Sequence, residues 1–180
     1  MAKQRPGEIK FGSTGIGGST HLSGELLNSM AGIEMTHVPY KGGQQAMADL
    51  LGGQIQVHFD TVNGVLPFQQ AGRVRVLGVT SPKRLSYLPD TPTVAEAASL
   101  PGYESSGWYM LMGPAGMPTA VSARLSGAVL EELGRDGLKQ RLVQQGVEPG
   151  TLNPEQTARF LSSEIDKWAK VIERANIRVD

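Results

Sequence analysis

The chain has 180 residues, 39% of them hydrophobic, with 17 Lys plus Arg against 17 Asp plus Glu, which is room for one well-buried domain or two small lobes. Zero formal net charge excludes a long-range basic field for nucleic acid or for an anionic membrane. The absence of cysteine removes disulfides, thiolate nucleophiles and zinc ribbons, and with them redox chemistry at sulfur, while fixing no compartment.

The opening MAKQRPGEIKF has no apolar segment of the signal-peptide type, and no run approaches the roughly eighteen apolar residues of a membrane-spanning helix. Residues 8–13 (EIKFGS) predict a short strand running into a Gly-rich loop, after which Leu22, Leu26, Leu27 and Met30 recur at helical spacing until Gly32 supplies a stop. IEMTHVPY (33–40) predicts a strand, GQQAMADLLGG (43–53) a helix with Ala46, Met47, Leu50 and Leu51 on one side, and QIQVHFD (54–60) an alternating strand. A helical turn around 63–71 and an apolar strand over 73–81 (RVRVLGVTS) follow. Such alternation argues for an α/β fold with a mainly parallel sheet covered by helices.

From Ser81 to Gly107 four prolines mark a long surface connection, with a short helix from Thr93 that Thr91 or Thr93 would cap. The architecture switches near residue 106. WYMLMGPAGMP predicts an apolar strand broken by Pro and Gly, and helices are expected at roughly 118–134, 136–145 and 153–175. In the last of these, Leu161, Ile165, Trp168 and Ile172 form one apolar stripe that requires a covering surface. Trp108 and Tyr109 mark the switch, either beside a cleft or packed in a core.

The stretch KFGSTGIGGSTHLSGELL (10–27) carries the chemistry. A Walker A loop counted from Gly12 reaches Gly17 and then finds Gly18 where the phosphate-binding lysine belongs. A dinucleotide fingerprint counted from Gly15 gives Gly17 and then Thr20, with VPY rather than an acidic residue closing the second strand. No G-x-S-x-G elbow surrounds Ser13, Ser19 or Ser23, so serine nucleophilicity is unsupported, and no cofactor is called for. What survives is a neutral anion cradle: backbone N–H groups around Gly15 to Ser19, the hydroxyls of Ser13, Thr14, Ser19 and Thr20, and the positive end of a helix beginning near Thr20. Neutral donors suit a carboxylate better than a triphosphate. The plainer reading, that Ser19 or Thr20 merely caps a helix and the glycines merely turn the chain, stands beside it.

His21, His37 and His58 share no i, i+4 relation and no acidic residue at ligand spacing, which argues against a metal site. His21, in the first turn after the loop, either donates to a bound anion or bonds backbone. Asp60 ends a strand at the same sheet edge, where it caps the next helix near Val62 and Asn63 or accepts from a ligand amine or bridging water. Tyr40 and Lys41 end another strand there, and a solvated Lys41 is the plain alternative.

Taken together, KFGSTGIGGSTHLSGELL, VPYKGGQQAMADLLGGQIQVHFD, GRVRVLGVTSPKRLSYLPDTPTVAEA, PGYESSGWYMLMGPAGMP and EIDKWAKVIERANI resemble the substrate-receptor subunits of tripartite tricarboxylate transporters, the Bug-type periplasmic solute-binding proteins, from about residue 5 to residue 180. The resemblance implies a type II periplasmic-binding-protein (Venus-flytrap) fold, with 9–105 as the complete second lobe and 106–180 as a mainly helical remnant of the first. It implies no enzyme activity, but a receptor that closes on a small carboxylate, a di- or tricarboxylate or an amino acid, and delivers it to transporter membrane subunits. Carried over position by position, the ligand contacts are Ser13, Thr14, Gly17, Ser19, Thr20 and His21, with Asp60 beside the cleft. The resemblance leads one to expect, ahead of the matched segments, a signal peptide and most of a first lobe with a proline and glycine loop that grips the ligand from the other side. Location is therefore periplasmic by resemblance and cytoplasmic if Met1 is the true start. A free-standing carboxylate sensor or interaction domain is the alternative function. The stripe on the last helix, deprived of its sheet, predicts a homodimer.

Overall fold

A computed structural model describes residues 2–178. The chain divides into two compact units, one formed by residues up to Gly107 together with the segment from Trp168 onward, the other by Trp108–Lys167.

In the first unit, β1 (Lys10–Ser13), β2 (Thr36–Pro39) and β3 (Val57–His58) make a parallel sheet in the order β2-β1-β3. Phe11 of the central strand lies opposite His37 on one side and Val57 on the other. Each strand leads directly into a helix: α1 (Ser19–Ala31), α2 (Gly43–Leu51) and α3 (Val62–Gln70). Three helix N-termini consequently open at the carboxyl edge of the sheet. The C-terminal stop of α1 is Gly32, in the left-handed region at φ 58°, with its N–H on the Asn28 carbonyl.

Close packing of α1 on the sheet depends on a missing side chain. A Cβ on Gly24 would lie 2.2 Å from a ring carbon of the fully buried Phe11, so only glycine lets the helix approach that ring. Leu22 and Leu26 of α1 form a core cluster with Tyr103 and Val171, and the buried Tyr103 hydroxyl donates to the Ser23 carbonyl at 3.0 Å. The short helix α4 (Val94–Ala97) starts in a capping box, with Thr93 Oγ1 accepting from Glu96 N–H and the Glu96 carboxylate accepting from Thr93 N–H.

Two strand expectations are corrected. Residues 73–81 form no strand; Val79 alone bridges in parallel to Thr93, and Leu77 is largely exposed. Likewise, the strand expected over 54–60 contracts to the two residues of β3. Alternation selects which side chains share a face, but a ladder also needs a neighbouring backbone, and β3 finds β1 only over Phe11 and Gly12.

The second unit carries α5 (Thr119–Gly134), α6 (Asp136–Gln144) and most of α7 (Pro154–Arg174), whose final turns belong to the first unit. Its described residues include one buried side chain, Glu164, whose carboxylate accepts from Trp108 Nε1–H at 3.2 Å and pairs with Lys167. Trp108 stacks edge-on against Phe160 at 5.6 Å. The strand expected at WYMLM is absent: residues 108–112 adopt no regular structure, and Tyr109 is 95% exposed. Of the apolar stripe on α7, Trp168 packs against the core cluster of the first unit, Leu161 is half-buried, and Ile165 and Ile172 are exposed. Among the described residues no helix is long and apolar enough to cross a membrane.

Candidate functional site

With strand order β2-β1-β3, the connections leave β1 on one side and return beyond it on the other. This puts a topological switch point between the carboxyl ends of β1 and β3, the place where open α/β sheets take ligands. The residues there are Ser13 to Thr20 after β1 and Asp60 after β3.

The three helix N-termini at this edge differ in what meets their free N–H groups. At α3, Thr61 caps by accepting from Gly64 N–H. Between α2 and α3 sits the Asp60 carboxylate: a Cβ on Gly43 would lie 3.0 Å from Oδ2 and one on Gly64 would lie 2.8 Å away, so both glycines make room for it. It accepts Thr61 N–H at 2.7 Å. His58 stands behind, with Nδ1–H on the Gly12 carbonyl at 3.0 Å and Nε2 at 3.3 Å from Asp60 Oδ2, an ion-pair distance. Burial works against charge on both groups, yet the contact with Asp60 and the Gly12 carbonyl hold the His58 imidazole above its ordinary pKa. Burial is likewise outweighed at Asp60, where His58 and Thr61 N–H hold the carboxyl below its ordinary value. Of the three, only α3 carries a side-chain cap; α1 begins at Gly18 and α2 at Gly42 without one.

The loop into α1 is shaped from inside. Gly15 and Gly17 have φ of 137° and 75°, which glycine adopts without strain. Ser13 is fully buried, and its hydroxyl donates to the Gly15 carbonyl at 3.1 Å while accepting Gly15 N–H at 3.2 Å. Ser13 Oγ also shares a 2.6 Å hydrogen bond with His37 Nε2, whose donor is set by the imidazole tautomer. Gly17 N–H donates to Nδ1 of His21 at 3.1 Å, so this buried imidazole is occupied from below the loop. Thr20 Oγ1 accepts Thr14 N–H at 2.9 Å and lies 3.0 Å from Thr14 Oγ1.

The residues expected to bind ligand therefore separate into two sets. Thr14 and Ser19 are exposed and Thr20 is half-buried, with hydroxyls at the mouth of the uncapped helix. Ser13, Gly17 and His21 spend their polar groups inside the loop, and the Asp60 carboxylate is met by Thr61 N–H and His58. Tyr40 is committed too, its hydroxyl donating to Asp49 Oδ2 at 2.8 Å; burial and that carboxylate push it up to about 12. Lys41 is exposed.

Sequence reasoning gave His37 no part in the loop. Its ring stacks on His21 with centroids 3.7 Å apart and planes 15° apart, and it packs against Phe11 at 5.0 Å. Burial first, and then the neighbouring His21, lower His37 to about 4, against the opposing pull of Glu25. Strand periodicity was the available signal, since it puts His37 on the same side as the buried Met35.

Comparison with known proteins gives a consistent picture. Residues 1–177 match the family model of the tripartite tricarboxylate transporter family receptor. The UPF0065 protein in the tcbD-tcbE intergenic region of Pseudomonas sp. strain P51 is 38% identical over 95% of this chain and 51% of its own length. Protein BugT of Bordetella pertussis is 31% identical over 99% of this chain and 55% of its own. Among solved structures, R. palustris Rpa4515 with adipate is 39% identical with a TM-score of 0.77, covering 98% of this chain and 58% of that one. MatC from Rhodopseudomonas palustris with bound malate is 28% identical with a TM-score of 0.66, covering 92% and 57%. The chain spans about half the length of these two curated relatives.

Proposed function

The chain belongs to the tripartite tricarboxylate transporter receptor family, and from that premise we propose that the uncapped N-terminus of α1 and its glycine loop receive one carboxylate of a small organic dicarboxylate. The observation that carries this reading is the contrast among the three helix N-termini. Thr61 caps α3 and the Asp60 carboxylate lies beside Gly43 in the first turn of α2, while the start of α1 at Gly18, uncapped, faces the Gly15 carbonyl and the Thr14 hydroxyl. A carboxylate there gains the N–H groups of Ser19, Thr20 and His21, the helix dipole, and the hydroxyls of Thr14, Ser19 and Thr20. Adipate and malate, bound by the two R. palustris proteins, are both dicarboxylates. Ser13, Gly17 and His21 shape the loop, and Asp60 braces the adjoining helices.

On the same reading the protein is a receptor and not an enzyme: it works in the periplasm, releases its ligand to transporter membrane subunits, and tightens on it by lobe closure. The exposed Ile165 and Ile172 on α7, with Tyr109, Leu111 and Met112, support the expected homodimer as a cover for apolar surface. Light scattering reads that directly: a concentration-dependent dimer supports it, and a monomer at high micromolar concentration removes it.

Isothermal titration calorimetry with adipate and with malate tests the site, using wild type and Ser19→Asp. The new aspartate places a fixed anion in the first turn of α1, which stabilises the helix by about 0.3–1 kcal/mol while occupying the cradle. Saturable binding in wild type, weakened at least about tenfold in Ser19→Asp, is expected. Equal binding by the two proteins, or no binding of either acid at millimolar concentration, overturns the proposal.

A further inference from the structure

The His21–His37 stack is more than packing. We propose that His21 is a positioning residue whose Nδ1 lone pair holds Gly17 N–H and so sets the shape of the anion loop, and that this shape is conditional on both stacked imidazoles being neutral. The inference rests on the carboxylate reading only for what the loop is used for.

The atoms leave little choice of tautomer. Gly17 N–H is a donor, so the nitrogen that meets it at 3.1 Å, His21 Nδ1, is unprotonated and the ring proton sits on Nε2. Nε2 lies 3.7 Å from Glu25 Oε1. Adding a proton to His21 places N–H against N–H at Gly17, and the loop loses the contact that orients its second left-handed glycine, at φ 75°. Beneath it, His37 lies parallel at 3.7 Å, so charging both rings costs repulsion at van der Waals distance. His37 in turn bonds Ser13 Oγ, which holds Gly15 through both its N–H and its carbonyl. Both left-handed glycines of the loop are thus tied to the stacked pair, Gly17 directly and Gly15 through one hydroxyl.

The charged and titratable groups around the stack are few. From α1, Glu25 Oε1 lies 3.7 Å from His21 Nε2, and from β2 the partner is His37 itself. β1 contributes the Phe11 ring and the Ser13 hydroxyl. The His58–Asp60 pair after β3 is held by the Gly12 carbonyl and Thr61 N–H, and the segment after α4 meets α1 through Tyr103 and Ser105, both at Ser23. Burial and the neighbouring imidazole already hold His37 down to about 4, so it remains neutral through mild acid and gives His21 a desolvated, uncharged face.

Nitrogen-15 NMR of the full chain tests this without any ligand. The Gly17 amide and the His21 imidazole nitrogens are followed as the pH is lowered, in wild type, His21→Asn and His21→Leu. Asparagine Oδ1 stands in for Nδ1 as an acceptor and carries no titrating proton. The expected wild type shows an unprotonated His21 Nδ1 at high pH and a Gly17 amide whose protection factor, taken against the intrinsic base-catalysed exchange rate at each pH, falls about tenfold on acidification, with one shared midpoint. His21→Asn keeps Gly17 protected with no such midpoint, and His21→Leu loses protection at every pH. A wild-type Gly17 amide that ignores the His21 titration, or a midpoint that persists in His21→Asn, overturns the proposal even if His21→Leu does not fold. A parallel adipate titration separates the two claims: affinity falling with pH in wild type but not in His21→Asn supports both. Absence of adipate binding in every protein removes the carboxylate reading and leaves the Gly17 result to decide the loop.

Discussion

Residues up to Gly107 and the segment Trp108–Lys167 are built from similar signals, helices with apolar positions at helical spacing and Gly or Pro between them, yet they end differently. All ten buried hydrophobic residues among those described lie in the first unit, counting Val171 at the end of α7. In the second, Val121 and Leu125 on α5 remain close to half exposed. The difference teaches that periodicity and end signals are enough to form a helix, while burial needs a second surface. The first unit has one in its parallel sheet, and Phe11 sits at its centre with Gly24 cleared to receive it. The same contrast explains the function proposed for the β1–α1 loop: only a loop braced by a core from beneath can hold donors in place for a ligand.

The contrast is breakable by mutation. Phe11→Ala removes the ring against which α1, His21 and His37 pack, and a loss of about 3–5 kcal/mol in urea unfolding is expected; a loss under about 1 kcal/mol would deny the sheet its role. Gly24→Ala forces a methyl into the Phe11 ring, for an expected loss of about 1–3 kcal/mol, and near-neutral behaviour would show that α1 is free to shift. Acidification sharpens the comparison further. His37 has its folded pKa depressed from 6.5 to about 4, so the unfolded chain takes up its proton first. Stability should fall as pH drops from 6.5 to about 4 and gain no further loss from this group below that, a trend that His37→Phe should flatten. The smallest effect belongs to the second unit: Leu125→Ala on α5 should stay within about 0.5 kcal/mol, and a multi-kcal loss would reveal a core there.

The legible parts of the fold are those whose signals are local. Leu22, Leu26, Leu27 and Met30 with Gly32 located α1, and Thr93 located α4, whose capping box with Glu96 the structure adds. Strands were legible only where a neighbour exists: 10–13 and 36–39 pair along their whole length, whereas RVRVLGVTS supplies one bridge through Val79 and WYMLM supplies none. The site was legible as a loop but not as a division of labour. Nothing in GSTGIGGSTH tells that Ser13 and His21 turn inward, because their partners His37 and Gly17 are chosen by tertiary register and by left-handed backbone. Asp60 was placed at the correct edge, and the two glycines that leave room for its carboxylate, Gly43 and Gly64, are brought together only by the fold.

The most direct measurement is a proton–nitrogen correlation spectrum of the wild-type chain titrated with adipate. The expected result is a saturable set of shifts confined to the amides of Thr14 through His21, with those of Gly43, Thr61 and Gly64 around Asp60 little changed. Shifts centred on the α2 and α3 N-termini or on α5 and α6, with Ser19 and Thr20 unmoved, would contradict the assignment of the carboxylate to α1.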